Sequence, residues 1–274
     1  MSVAEGILLG IIQGLTEFLP ISSSGHLVLF QELLGFKGPA LLLDTALHFG
    51  TLVSILVFFR SDIRGMFSET WSFSRVMVTG NIHPAEISRY PSATLALWVV
   101  IGSIPTALVG LSFKGPIETL FGSTTVVGAA LIFTGLAIGT SRLIPPGYGQ
   151  RTGVGLPGSL LVGLAQGLAL VPGISRSGTT IVCGLLLKMD RELAARFSFL
   201  LAIPAVIGAL GLQIKVGGPG NVPVSVLLSG FLTSTLTGLL ALKLLLRIVK
   251  KGRLYYFAPY CWALGLAVLL IKHL

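Results

Sequence analysis

With 274 residues, 53% of them hydrophobic and only 11% charged, the chain is too poor in charge for a soluble domain, where about a quarter of residues are charged. Its net charge of +9 is therefore read as loop charge that sets membrane topology, not as a nucleic-acid footprint. Cys183 and Cys261 lie in apolar stretches without metal-ligand spacing and are expected to pack rather than react.

No basic segment follows Met1, and Glu5 falls early, so no cleavable signal is expected. The first apolar region, 3–35, is broken in its middle by "LPISSSG", which leaves halves too short to cross a ~30 Å hydrocarbon core. It is expected to form a re-entrant hairpin, with a new helix at 24–35. Spanning helices are expected at 42–60, 92–113 and 121–141, with the longest loop running from Arg60 to Pro91. A second broken region, 156–188, carries "VPGISRSG" and a new helix at 177–188. Three more spans follow at 193–214, 223–247 and 255–273, with a Gly-rich turn at 216–221. Irregular backbone at membrane depth is tolerated only where it is buried in protein or lines a wet cavity, so both breaks are candidate site elements.

The two broken regions resemble each other. When "QGLTEFLPISSSGH" (13–26) is set above "QGLALVPGISRSGT" (166–179), seven of fourteen pairs are identical, where chance gives about one. The expected fold is all-α and polytopic, in one integral membrane domain. Six transmembrane helices and two re-entrant hairpins form two repeats, 1–150 and 151–274. Three crossings per repeat is an odd number, so the second repeat must lie inverted, with the site at the repeat interface. On this layout one face collects thirteen of the nineteen basic residues, from Arg60 to Arg253, while the other holds Lys37, Lys114, Lys215 and Lys272. The positive-inside rule makes the first face cytoplasmic and puts both termini and the site's opening outside. Lys243 can snorkel to the inner surface.

Intramembrane ionisable groups are functional candidates by default. The first break offers Glu17 and His26, and the second Arg176. A buried ion pair tying the hairpins together is the plain structural alternative. Hydroxyls surround these groups at Ser22, Ser23, Ser24, Ser175, Ser177, Thr179 and Thr180, while Gly25 and Gly178 allow close backbone approach. Helix N-termini aimed at the centre favour an anion, and the Arg176 fork suits phosphate. His26 can serve as nucleophile or general base. Glu17 can orient its imidazole, hold a metal or activate water. Gln13 and Glu17, four apart, share a helix face. These parts meet the demands of phosphoryl transfer, which are positioning and electrostatic stabilisation.

The stretches "QGLTEFLPISSSGH" and "PGISRSGTT", with "RFSFLLAIPA" after them, resemble the signature motifs of the undecaprenyl-diphosphate phosphatases, also called the bacitracin-resistance family. The resemblance runs over the full length. It implies a bacterial plasma-membrane hydrolase that converts undecaprenyl diphosphate to the monophosphate and inorganic phosphate, recycling the carrier lipid of cell-wall synthesis. It implies a polyprenyl diphosphate substrate in the bilayer, no nucleic-acid partner, and bacitracin as a competitor that sequesters the substrate. By position, the acidic pair of the first motif falls on Gln13 and Glu17, its serine on Ser23 and its histidine on His26. The second motif gives Ser175, Arg176 and Thr180. Mg²⁺ or Ca²⁺ dependence is implied too, with Glu17 and Gln13 as ligands, although glutamine stands here where many members have glutamate.

In the expected scheme Arg176, Ser175 and Thr180 grip the diphosphate. His26 attacks phosphorus or activates water, Glu17 orients it, and Ser23 is a phosphate donor or a competing nucleophile. The first bond to phosphorus is open among His26, Ser23 and water. Asp44 and His48 are read as a mutual pair or a supporting layer, and His83 and His273 as solvated. Lys188, Asp190, Arg191, Glu192 and Arg196 are read as surface charge. The competing class is a lipid-phosphate or anion transporter on the same inverted-repeat frame. Oligomeric state and isoprenoid length are not legible in the sequence.

Overall fold

The computed structural model describes residues 1–36, 41–78, 89–145, 147–149, 151–216 and 222–271. Lys37, His83, Lys272, His273, the Lys215 side chain and most of the turn at 216–221 lie outside the described residues. Among the described residues the chain is helical, in the order α1 (Val3–Phe18), α2 (Ser23–Leu33), α3 (Leu41–Phe58), α4 (Arg60–Val78), α5 (Pro91–Ser112), α6 (Lys114–Leu120) and α7 (Thr124–Gly139). The order continues with α8 (Gly155–Leu168), α9 (Arg176–Leu186), α10 (Arg191–Val216), α11 (Val224–Lys250) and α12 (Ala258–Ile271).

Among the described residues six segments are long and apolar enough to cross a membrane: Leu41–Phe58, Pro91–Ser112, Thr124–Leu143, Arg191–Leu212, Val224–Lys250 and Leu254–Ile271. They coincide with the six expected spans to within a few residues. The stretch from Arg60 to Pro91, expected as a loop, instead opens with the 19-residue helix α4. Its inward side carries Ile63, Met66, Glu69 and Phe73, and the Glu69 carboxylate caps the start of α5 at the Ser92 and Ala93 amides (2.6 and 3.2 Å). Phe67 and Trp71 point outward. Charged residues interleaved along the segment dilute this helical stripe below the apolar density of a spanning run.

Four helices of 11 to 16 residues, α1, α2, α8 and α9, form two helix–break–helix units. α1 starts with a capping box between Ser2 and Glu5 and packs most extensively on α11. Gly6, Gly10 and Gly14 face that helix, and a methyl at Gly10 or Gly14 would overlap the Thr233 or Thr237 hydroxyl. Small residues four apart let the backbones approach, and close packing is what holds helices together where lipid is as apolar as the protein. In the same way α8 packs on α5, where Gly163 faces the backbone of Gly102. Further pairings join α3 to both α10 and α11, α5 to α10, and α7 to α12. Each broken unit therefore lies against a spanning helix from the other half of the chain.

Candidate active site

The two breaks meet in the interior. α1 ends at Phe18, and the chain turns through Leu19–Ser22 into α2. α8 ends at Leu168, and the chain turns through Ala169–Ser175 into α9. A Cβ on Gly25 would sit 3.3 Å from Gly173 Cα, and one on Gly178 would sit 3.2 Å from Pro20 Cβ, so each break presses a glycine onto the other's turn. The Gly173 amide donates to Ser24 Oγ (3.4 Å), and Ser177 Oγ donates to the Leu19 carbonyl (3.5 Å). Ser22 and Ser175 act as matched N-caps, accepting from the Gly25 and Gly178 amides (3.3 and 3.1 Å). Two helix N-termini thus converge on one buried point, the arrangement that stabilises an anion.

Glu17 occupies that point. Its Oε1 pairs with the Arg176 guanidinium, and its Oε2 accepts from Ser23 Oγ (2.5 Å) and Gln13 Nε2 (3.1 Å). Ser23 and Arg176 hold equivalent positions in the two repeated motifs, each the first residue of its helix, and both converge on this carboxylate. The pair is nearly closed to the outside, with side-chain exposures of 8% for Glu17 and 15% for Arg176. Even so, Arg176 Nη1 and Gln13 Oε1 are buried without a hydrogen-bond partner. An unpaired buried donor is costly, and it is ready for an incoming phosphate oxygen.

His26 is 3% exposed and is oriented by other groups. Its Nδ1 lies 2.7 Å from the Ser22 carbonyl oxygen, and its Nε2 lies 2.7 Å from the Tyr260 hydroxyl. The imidazole's hydrogen bonds therefore go to Ser22 and Tyr260, not to Glu17 as the sequence-level scheme expects. Ser22 has φ 69°, a left-handed conformation that costs a non-glycine residue on the order of 1–3 kcal/mol. The strain aims its carbonyl at His26 while its hydroxyl caps α2.

The other expected residues are placed as follows. Thr179 Oγ1 donates to the Ser175 carbonyl (2.7 Å), and Ser175 Oγ lies 3.3 Å from Ser177 Oγ, as Ser22 Oγ does from Ser24 Oγ. Thr180 donates back to Arg176 O (2.7 Å) and pairs with Ser198 Oγ on α10 at 2.5 Å, so it braces the helix that carries Arg176. Asp44 takes a hydrogen bond from Gln31 Nε2 (2.6 Å), while His48 Nδ1 lies 2.8 Å from the Asp44 backbone oxygen. Asp190 caps α10 through the Glu192 and Leu193 amides (2.8 and 2.9 Å), and Arg196 pairs with Asp62. Sequence reasoning missed Tyr260 and Ser198. A polar hydroxyl within an apolar span needs a partner, and that was the available clue.

No group of three or more His, Cys, Asp or Glu able to hold a metal occurs among the described residues. The donors at the break are one carboxylate and the unpartnered Gln13 Oε1. This set does not make a protein cage for a cation. It does fit a Mg²⁺-like ion that takes most of its ligands from water and phosphate.

Residues 6–267 match the family described as bacitracin resistance protein BacA. The chain is 46% identical over 272 residues to an undecaprenyl-diphosphatase from Desulfatibacillum aliphaticivorans, with 97% of each chain covered. It is 46% identical over 267 residues to the one from Desulfosudis oleivorans, again with 97% of each covered. It is 42% identical over 274 residues to the one from Methanosphaera stadtmanae, with 99% of each covered.

Proposed function

Because the chain belongs to the bacitracin resistance protein BacA family, we infer that it is an undecaprenyl-diphosphatase, a multi-pass membrane phosphatase that cleaves undecaprenyl diphosphate to the monophosphate and inorganic phosphate. One observation carries the chemistry. Arg176, Ser23 and two capped helix N-termini converge on a single buried point, now held by the Glu17 carboxylate. A terminal phosphoryl group has the same charge sign and the same need for donors, so it takes the place beside Arg176 as Glu17 yields.

In this reading Arg176 neutralises the developing charge, using the now idle Nη1 as well. The hydroxyls and helix N-termini of the two breaks, from Ser22 to Gly25 and from Ser175 to Gly178, cradle the remaining phosphate oxygens, while Thr179 and Thr180 brace the helix that carries Arg176. Glu17, released from Arg176, is the base closest to Ser23, and His26 handles a second proton. A divalent cation, Mg²⁺ or Ca²⁺, would be held by Glu17 and Gln13 Oε1 and would supply charge neutralisation on the diphosphate.

The two halves, 1–150 and 151–274, are best understood as inverted repeats with re-entrant hairpins. The reciprocal packing of α1 on α11 and of α8 on α5 supports this. Both termini and the lipid's entry lie on the outer face of the plasma membrane in this reading, which the distribution of basic residues supports. Bacitracin would compete by binding the diphosphate lipid itself. A carrier on the same frame would need Arg176 but has no use for a hydroxyl held by a carboxylate or for a poised imidazole.

Purified protein in detergent, given undecaprenyl diphosphate, is expected to release phosphate over many turnovers and to lose that activity in His26→Ala and Arg176→Ala. Binding without turnover would overturn the reading.

A further inference from the structure

We propose that Tyr260 is a further catalytic residue of this site, the proton relay through which the buried His26 exchanges protons with the reacting groups. The inference rests on the phosphatase reading above. The Ser22 carbonyl oxygen can only accept, so the 2.7 Å contact requires a hydrogen on His26 Nδ1. In the neutral ring Nε2 is then the acceptor, and the Tyr260 hydroxyl 2.7 Å away donates to it. The two rings lie 8° from parallel with centroids 5.8 Å apart, so the phenol meets the imidazole edge to edge along the hydrogen bond. Both ring nitrogens are therefore taken, and one of their partners is a backbone oxygen that exchanges no proton.

Burial decides the direction of traffic. His26 is 3% exposed whereas Tyr260 is 46% exposed, so the phenol is the less enclosed end of the pair and the imidazole its closed end. The strained Ser22 holds the closed end in place. In the forward step the attacking hydroxyl of a water molecule gives its proton to the Tyr260 oxygen as Tyr260 gives its own proton to Nε2. The new bond forms between that hydroxyl oxygen and the terminal phosphorus, and the bridging P–O bond breaks with its electron pair leaving on the lipid monophosphate. His26 is then an imidazolium with both N–H groups bonded, Nδ1–H to Ser22 O and Nε2–H to Tyr260 O. Deprotonation by the same phenol, to a departing phosphate oxygen or water, restores the starting state.

The experiment is single-turnover release of phosphate from undecaprenyl diphosphate by the full chain in detergent, in mixtures of H₂O and D₂O. Tyr260→Phe keeps the ring and removes the relay. Its rate should fall at least about tenfold, the low end for losing an acid–base group, with KM within about twofold. A curved proton inventory in the wild type, two protons in flight, should become linear in the variant. A Tyr260→Phe rate within about twofold of wild type, or an unchanged inventory, overturns the relay. Should Tyr260→Phe misfold, 3-fluorotyrosine at 260 alters the phenol's acidity with little change of shape, and an unchanged rate there overturns it equally. A wild type that releases no phosphate sinks the phosphatase reading itself. Active wild type, dead His26→Ala and unimpaired Tyr260→Phe sink the relay alone.

Discussion

The first and second breaks are built on one frame and bent at different residues. In the second, the left-handed turn falls on Gly173 (φ 95°), and Ser175 has an ordinary extended conformation (φ −75°). In the first, the position equivalent to Gly173 is Pro20, whose ring forbids positive φ, so the turn moves two residues on to Ser22 (φ 69°). The strain thus lands on the residue whose carbonyl grips His26. At the matching place Thr179 Oγ1 makes the same 2.7 Å bond to the Ser175 carbonyl, but a threonine there can only brace the helix. Two further differences complete the split: Glu17 stands opposite Leu170, and Ser23 opposite Arg176. On the proposed reading, differences at a few positions of two similar motifs make one break the reactive centre and the other an anion clamp.

The largest effects should come from the positions that differ between the breaks. Arg176→Ala should lower phosphate release by about 10³-fold or more. It should also destabilise the protein by roughly 3–5 kcal/mol, because Glu17 is left charged and unpaired. Release assays and thermal unfolding of the purified variant measure both. Near-normal turnover would break the division of labour between the breaks.

His26→Ala should cost about 10²–10⁴-fold in release, while Thr179→Ala at the equivalent position should stay within a few-fold of wild type and cost only the ~0.5–1.5 kcal/mol of one hydrogen bond. Comparable losses in the two would show that the hydrogen bond to the cap carbonyl matters more than the imidazole. Exchanging the turn residues gives intermediate effects. Pro20→Gly frees the first break to move its left-handed residue away from Ser22 and should slow release about tenfold, by loosening the group that positions His26. In Gly173→Ala, a methyl would meet the Val127 carbonyl oxygen at 2.6 Å in a left-handed backbone, so the unfolding temperature should drop. The mildest effect is expected at the glutamines. Gln13→Glu supplies a second carboxylate and should lower the divalent-cation concentration for half-maximal activity by about tenfold. Gln166→Glu should leave that concentration unchanged, since Gln166 Nε2 serves Thr106 Oγ1 and the Leu201 carbonyl (3.2 and 3.3 Å) as a brace.

Much of this was legible in the residues. The six spans were visible because an apolar run of about 20 residues is a local property that the bilayer requires. The broken units were visible because Pro, Gly and Ser clusters interrupt such runs, and their kinship because seven of fourteen aligned residues match. Helix α4 was missed since Ile63, Met66 and Phe73 are spaced for one face and diluted by charge. Tyr260 was missed since a lone tyrosine in "FAPYCW" carries no mark of a partner 234 residues away.

Local residue patterns alone specify a polytopic helical membrane protein with two related interruptions and the chemical types gathered in them. Tertiary structure decided how those types combine: Glu17 between Ser23 and Arg176, and His26 between Ser22 and Tyr260. The reason is physical. Hydropathy and breaker residues act along the chain, whereas hydrogen-bond partners inside an apolar interior are set by how the helices cross, and α9 and α12 meet the first break only when the whole chain has folded.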